Sequence, residues 1–279
     1  MRRRPLPSSV PLPPHPSVSS SPLPFGWAVR SAAGGGLPRL GGVCGRYASA
    51  RPVSDLAAAF GIEDDAVDEP LDPDFNVAPT KPVYAVVDRR PRHEPDGPIS
   101  RRLVVMRWGL VPSWAKDPGI GSRLINARAE TVAEKPAFRR AFESRRCLLP
   151  ADGYYEWYDP DRPGERKQPF FIRPRGESLL ALAGLYEFWR SGDDGEWLVT
   201  CTILTTSAPD DVGRVHDRAP LTVDRDRWTA WLDPERTGSS VAELLVPAVP
   251  GRLEAYPVGF EVNNVKNNGP QLLEPLAAS

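Results

Sequence analysis

The sequence predicts an α+β fold in which strands outnumber helices. Apolar and aromatic runs of strand length lie between polar turns in the second half of the chain, namely CLLPADGYYEWY, QPFFIRP, LLALAGLYEFW and EWLVTCTILTT. Helical segments do not alternate with these runs, and no internal repeat is present. The order of elements therefore differs from that of a parallel α/β fold.

The first predicted element is a helix over residues 54–60. Ser54 is its expected N-cap, Asp55 suits the positive end of the helix dipole, and Gly61 can end the helix. A loop rich in proline and aspartate follows. The later predicted elements are strands over 83–87 and 103–108, a helix over 131–145 with Phe138 and Phe142 on one face, and short helices over 226–232 and 241–246.

Residues 1–43 are predicted to be a disordered leader ahead of one domain over 44–279. Up to Gly42 the leader contains no Asp, Glu or Lys and no hydrophobic periodicity, so it cannot form a core. Frequent prolines after the opening MRRR argue against a secretory signal, whereas an organellar transit peptide stays open.

A third interpretation of the leader is that translation starts at Val43. Only five of the 35 basic residues are lysines, and Ala, Gly and Pro are frequent, as expected of GC-rich coding DNA. Such DNA often uses GTG as a start codon, and an internal GTG is written as valine. Removal of the initiator methionine would then leave Cys44 as the N-terminal residue.

Charge and cysteine content limit the possible functions. The five arginines of the leader leave 30 basic against 36 acidic residues, a formal charge of −6, for the rest of the chain. Nucleic-acid binding therefore needs a local basic patch. Three widely spaced cysteines without a CxxC pair argue against disulfides and a zinc site, and they favour a reducing cytoplasm. The sequence contains no membrane-spanning apolar segment and no GxGxxG or GxxxxGK[ST] motif.

Two of the reactive residues have competing structural interpretations. Cys44 lies between glycines and an arginine before the first element, which is a poor place for core packing; Cys147 and Cys201 lie in apolar runs and are expected in the core. Glu156 alternates with Tyr155 and Trp157 along a predicted strand, so it faces either solvent or a catalytic site.

The other polar candidates also allow two interpretations. His216 is either a turn residue paired with Asp217 or a functional base. Asn126 and Arg128 share a face if the chain is extended there, and they either fix a loop or serve a site. Trp108 and Trp114 flank GLVPS, where core packing competes with base stacking.

Eight motifs in fixed order resemble the SOS response-associated peptidase family, whose members process abasic sites in DNA. They are CGRY, NVAP, WGLVPSW, INARAET, DGYYEW, KQPFFI, VHDRAPL and VKNNG, and they extend from Cys44 to the C-terminus without covering residues 1–42. The resemblance implies a single domain with a mostly antiparallel, barrel-like core and flanking helices. It implies a cytoplasmic monomer in the DNA-damage and SOS response, located at the nucleoid when on DNA, without metal or cofactor.

The resemblance also implies covalent chemistry at an N-terminal Cys44. The aldehyde of an abasic site in single-stranded DNA can form a Schiff base with the α-amine, and the thiol can close on it to give a thiazolidine that shields the lesion. An α-amino group has a pKa of about 7.7 to 8.0, so a useful fraction is neutral in the cytoplasm. An amide nitrogen cannot react in this way.

Specific roles follow from the same resemblance. Asn126 would orient the cysteine and the sugar, and Glu156 would act as general acid and base. His216 would contact phosphate and assist Schiff-base or lyase-type strand-cleavage steps. The implied DNA contacts are Arg46 and Arg128 to phosphates, with Asn76, Pro79, Trp114 and Trp157 along the cleft.

Two other functions stay open. A cysteine peptidase would use Cys44 as nucleophile and His216 as base, with Asn126 or Glu156 as the orienting group. It could cleave its own Val43–Cys44 bond and would cleave protein without DNA. A module that only binds damaged DNA would form no adduct that survives denaturation.

Overall fold

The computed structural model describes residues 44–62, 67, 69–90, 96–160, 164–176, 178–192 and 194–277. The predicted leader lies outside these residues, and the described residues after it form one compact unit. The strands are β1 (Arg46–Ser49), β2 (Asp74–Val77), β3 (Pro82–Arg89), β4 (Ser100–Trp108), β5 (Asn126–Arg128), β6 (Arg146–Ala151), β7 (Gly153–Tyr158), β8 (Gln168–Pro174), β9 (Leu180–Trp189), β10 (Leu198–Ser207), β11 (Arg218–Pro220) and β12 (Leu253–Pro257).

The helices are few and short. They are α1 (Val53–Phe60), α2 (Arg139–Ser144), α3 (Asp210–Gly213), α4 (Trp228–Leu232) and α5 (Ser239–Ala242). Single 3₁₀ turns occur at Pro118–Arg123, Ala129–Thr131, Arg225–Arg227, Phe260–Asn263 and Pro270–Leu273. Within the described residues, no helix is long and apolar enough to cross a membrane.

Two sheets carry the fold. One has five strands in the order β12-β8-β7-β1-β2, and the other has the order β11-β10-β4-β3-β6-β9. Strand β10 also pairs with β9, so the pairings β10-β4-β3-β6-β9-β10 close into a ring. The pairs are antiparallel except where β10 runs parallel to β4 and β5. The predicted α+β fold with a mostly antiparallel, barrel-like core is confirmed.

Strand alternation on β3 separates two of the hydrophobic cores of the interior. On β3, Tyr84 and Val86 pack with helical residues such as Phe60 of α1. The alternate β3 residues Val83, Ala85 and Val87 pack in a second core. This core also contains Tyr47 and Tyr154 of the five-stranded sheet. The second core holds all three cysteines, which confirms the expected packing of Cys147 and Cys201.

Several local predictions are wrong in detail. Helix α1 ends at Gly61 in the left-handed conformation as predicted, but its N-cap is Pro52, and the Ser54 hydroxyl contacts Asp55 instead. The helix predicted over 131–145 is α-helical only at Arg139–Ser144. Pro136 lacks the amide hydrogen that a longer helix would need. The run CLLPADGYYEWY forms two strands, β6 and β7, in different sheets.

Candidate functional site

The site is built where the chain enters β1. Strand β1 pairs antiparallel with β7 in a register that places Arg46 opposite Tyr155, so the residues before Arg46 run alongside Glu156. The backbone nitrogen of Cys44 donates a hydrogen bond of 2.5 Å to Glu156 Oε1. Cys44 is 0% exposed, and the expectation that its position is unsuited to packing is wrong.

Glu156 is a buried carboxyl group. Its neighbours Tyr155 and Trp157 belong to another cluster, so strand alternation directs Glu156 into the core rather than to solvent. Burial raises the pKa of Glu156 to about 8, while hydrogen bonds from the backbone nitrogens of Cys44 and Trp157 act against this shift. A carboxyl group with this pKa can both donate and accept a proton near neutral pH.

The Cys44 thiol lies in the same apolar surroundings. Burial, and then the charge of Glu156, raise the pKa of the thiol well above its usual value, so the thiol is protonated at neutral pH. The backbone of Cys44 has φ +45°, in the left-handed region that residues with a Cβ rarely adopt. Such strain is typical of functional positions.

Asn126 reaches the same point from the other sheet. It lies on β5, which pairs parallel to β10 with Asn126 opposite Ile203. Its side-chain nitrogen donates to the carbonyl oxygen of Cys44 at 3.3 Å. The structure thus brings two predicted site residues, Glu156 and Asn126, into contact with Cys44, and the catalytic roles of all three stay predictions.

His216 occupies a turn between α3 and β11. Its Nδ1 accepts a hydrogen bond of 3.0 Å from Arg218 N, and Asp217 Oδ1 lies 3.0 Å from the same nitrogen. Asp217 is close enough to raise the pKa of Glu156, so this turn borders the site. Among the contacts of the described residues, none joins His216 to Cys44, as a preformed cysteine–histidine pair would require.

A polar and aromatic wall continues from Cys44 along β1 and β7. The Arg46 guanidinium lies 5.9 Å from the Trp157 ring centroid and donates to Asn76 Oδ1 at 2.7 Å. Asn76 itself is 0% exposed, so it holds other residues in place from beneath the surface. Arg46 and Trp157 are half-buried and keep partial access to solvent.

The remaining predicted DNA contacts differ in their exposure. Trp114 is 60% exposed and borders a hollow of about 440 Å³ that also includes Lys116 and Arg123. Trp108, by contrast, is fully buried and donates from Nε1 to the Ile125 carbonyl. Arg128 is exposed at the end of β5, and Pro79 is half-buried after β2. An exposed tryptophan is available for base stacking, whereas Trp108 is a core residue.

Comparison with known proteins identifies the family. The family described as SOS response associated peptidase (SRAP) matches residues 43–265. The chain belongs to this family.

Relatives in this family come from bacteria and from animals. The abasic site processing protein YoaM of Bacillus subtilis (strain 168) is 40% identical over 233 residues, covering 83% of this chain and 98% of its own. The abasic site processing protein HMCES of Gallus gallus is 33% identical over 228 residues, covering 73% and 66%. A crystal structure of a protein from Bacteroides thetaiotaomicron has a TM-score of 0.73 and 26% identity, covering 84% of this chain and 100% of its own.

A larger hollow of about 620 Å³ in this SRAP chain lies away from Cys44. It is bordered by Arg51, which follows β1, and by Arg252, which precedes β12. Both arginines form ion pairs, with Asp152 at 2.9 Å and with Asp224 at 2.6 Å respectively. None of the predicted site residues borders this hollow, so its size does not make it the reactive site.

Sequence reasoning missed the part of the SRAP site that comes from the C-terminus. Asn263 Oδ1 accepts a hydrogen bond of 2.7 Å from Trp157 Nε1, and the Val262 carbonyl accepts one of 2.8 Å from Arg46. The motif VKNNG lies directly beyond, and its run of asparagines was the available signal. Among the described residues, no group of three His, Cys, Asp or Glu side chains is arranged to hold a metal ion.

Proposed function

We propose that this chain is an abasic-site processing protein that crosslinks to abasic sites in single-stranded DNA through Cys44 as its N-terminal residue. The observation that carries the proposal is the contact between Cys44 N and Glu156 Oε1 at 2.5 Å. When Cys44 is N-terminal, this nitrogen is the α-amine. Glu156, whose pKa burial raises to about 8 while Val43 is attached, then lies against the nucleophile as its proton donor and acceptor.

The chemistry requires two successive additions to one carbon. The amine attacks the aldehyde carbon of the opened sugar, protonated Glu156 donates to the departing oxygen, and loss of water leaves a protonated C=N bond and a Glu156 carboxylate. The Cys44 sulfur then adds to that carbon, the C=N bond becomes a single bond whose nitrogen keeps its proton, and the thiol proton returns to Glu156. Asn126 holds the cysteine carbonyl during both steps.

DNA would reach the cysteine along the wall that includes Trp157. Arg46 and Arg128 supply positive charge on a domain whose total charge is negative, and exposed Trp114 supplies a stacking surface. Single-stranded DNA suits such a surface because its bases are free to stack on protein side chains. A monomer is sufficient for this mechanism, since all the named groups belong to one chain.

The proposal includes release of the leader, and two routes can produce a free Cys44 amine. One is initiation at Val43 followed by removal of methionine, and the family match that begins at residue 43 supports it. The other is self-cleavage of the Val43–Cys44 bond by the cysteine. The left-handed φ of +45° at Cys44 is consistent with this second, peptidase-like activity, because cleavage of the Val43–Cys44 bond removes the constraint on this unfavourable torsion angle.

Intact mass of the protein purified from its source tests the start. We expect a polypeptide that begins at Cys44. Expression of the 279-residue chain separates the two routes, since only self-cleavage would remove residues 1–43 from it, and Cys44→Ala would prevent that cleavage. A native protein that retains Met1 would contradict the proposal.

A borohydride experiment tests the chemistry at Cys44. With a single strand treated with uracil glycosylase, the processed wild type should form an adduct that survives denaturation without a reductant. Cys44→Ser keeps the amine but lacks the sulfur, so its adduct should persist only when borohydride reduces the Schiff base. A stable adduct from a chain with Val43 still attached would refute the thiazolidine, because its nitrogen is an amide.

A further inference from the structure

An irregular C-terminal segment is fixed beside the reactive site. We call residues 262–269 (VNNVKNNG) the strap. The side-chain nitrogen of Asn76 donates to three of its carbonyl oxygens, those of Val262 (3.2 Å), Asn264 (3.1 Å) and Asn267 (3.0 Å). Asn268 Oδ1 accepts a further hydrogen bond of 2.8 Å from Phe75 N. The strap is therefore tied to β2 although it forms no strand.

The strap also positions the stacking surface. It contributes Asn263 Oδ1 to the indole nitrogen of Trp157 and the Val262 carbonyl to the Arg46 guanidinium. These bonds fix the orientation of the Trp157 ring and of the cation beside it. Any strand that stacks on Trp157 consequently passes next to the strap.

Lys266 is the positive charge that the strap presents. Its backbone nitrogen donates to Asn264 Oδ1 at 3.1 Å, and Asn267 N donates to the Asn264 carbonyl at 3.0 Å, so the turn that carries Lys266 is fixed at both ends. The residue is exposed, and no ion pair of its ammonium group is found among the described residues. Glu261, the nearest acidic residue in sequence, folds its carboxylate back over Gly259.

We propose that the strap is a second DNA-binding surface, in which Lys266 contacts a backbone phosphate next to the nucleotide that stacks on Trp157. The inference rests on the proposed function and adds the residue that places the strand there. A single uncompensated cation on a fixed turn suits phosphate, since phosphate contacts set the position of a strand without reading its sequence. Val265 beside it is 47% exposed and offers an apolar contact to an unstacked base or sugar.

Salt-dependent binding of an intact single-stranded oligonucleotide tests this inference apart from the covalent step. Lys266→Ala should weaken binding about threefold to tenfold near 0.1 M salt and lower the slope of log K against log salt by about 0.7, as expected for one lost phosphate contact. Lys266→Arg should restore both values. Thermal unfolding of each variant should match wild type, because the side chain is exposed.

Arg252→Ala is the matched control for the loss of one positive charge. Strand β12 pairs with β8 from Leu253 opposite Pro174 to Pro257 opposite Phe170, so Arg252 lies at the far end of β12 from the strap. The control should bind like wild type. An unchanged slope in Lys266→Ala, or an equal loss in Arg252→Ala, would overturn the inference. Failure of wild type to bind any oligonucleotide would instead refute the proposed function.

Discussion

The two ends of the β1–β7 pair use a carboxylate in different ways. At one end Asp152 accepts hydrogen bonds from Ala50 N at 2.8 Å and from Arg51 Nε at 2.9 Å. At the other end Glu156 accepts one from Cys44 N at 2.5 Å. Both carboxylates thus tie the backbone flanking β1 to β7, but of the two only Asp152 pairs with a guanidinium of the described residues.

The difference bears on the proposed chemistry. Asp152 pairs with Arg51 and anchors the backbone that follows β1. Glu156 is 3% exposed and lacks such a partner among the described residues, so burial raises its pKa to about 8. It holds a proton that it can transfer. The end that we propose to be reactive is therefore the one whose carboxyl group has no cation beside it among the described residues.

The largest expected effect is on the rate of adduct formation, which should depend on Glu156 and not on Asp152. Glu156→Gln should slow adduct formation roughly 10²-fold to 10⁴-fold, the usual effect of losing a general acid and base, with the shape of the site kept. Single-turnover crosslinking of a uracil-glycosylase-treated strand measures this rate.

Asp152→Asn is the matched variant at the other end. It should crosslink within about twofold of wild type yet lose about 1–3 kcal/mol of stability, because it weakens the partners of Ala50 and Arg51. Urea unfolding measures the stability. If both variants lost activity equally, the two ends would not differ in the way described.

The second prediction concerns stability against pH in the chain with Val43 attached. An unfolded Glu has a pKa of about 4.3, whereas Glu156 in the folded protein has one of about 8. The folded state therefore binds more protons between these values, and its stability should fall as pH rises through this window, by at most about 1.4 kcal/mol per pH unit.

Glu156→Gln removes this contribution. Below about pH 4, where Glu156 is largely protonated in both the folded and the unfolded state, the variant should match wild type, and at pH 8 it should be the more stable of the two in urea unfolding. Processing to a free Cys44 amine should also reduce the pH dependence, because an ammonium group 2.5 Å from the carboxylate favours the charged form. Parallel stability curves for wild type and Glu156→Gln would contradict the assigned burial effect.

The sequence predicts individual strands better than it predicts the contacts at the Cys44 end of the β1–β7 pair. Strands such as β8 and β9 follow from runs rich in aromatic and aliphatic residues between polar turns, and they occur where expected. The burial of Cys44 depends on Glu156, 112 residues later, and on pairing between β1 and β7. No local pattern contains that information. The resemblance to the family grouped Cys44 with Glu156, but it did not predict a buried cysteine.

The contacts of Asn76 likewise could not be predicted from the local sequence. The sequence places it in a loop beside the DNA cleft, and the structure places it at the end of β2 with its amide beneath the surface. Its hydrogen-bond partners Val262 and Asn264 lie more than 180 residues away. We therefore propose that Asn76 acts on DNA binding indirectly, through Arg46 and the strap, and only these long-range contacts suggest this role.

The smallest expected effect compares one arginine from each end. Arg128 is exposed on β5, two residues after Asn126, whereas Arg51 pairs with Asp152 at the far end. If DNA lies along the Glu156 end, Arg128→Ala should weaken binding of intact single strands about threefold to tenfold at 0.1 M salt, equally for different sequences, because a phosphate contact does not read bases. Arg51→Ala should leave binding unchanged. Fluorescence anisotropy with two unrelated oligonucleotides measures both variants, and an equal loss in the two would mean that the strand is held by the overall field of the domain and not by the end that carries Cys44.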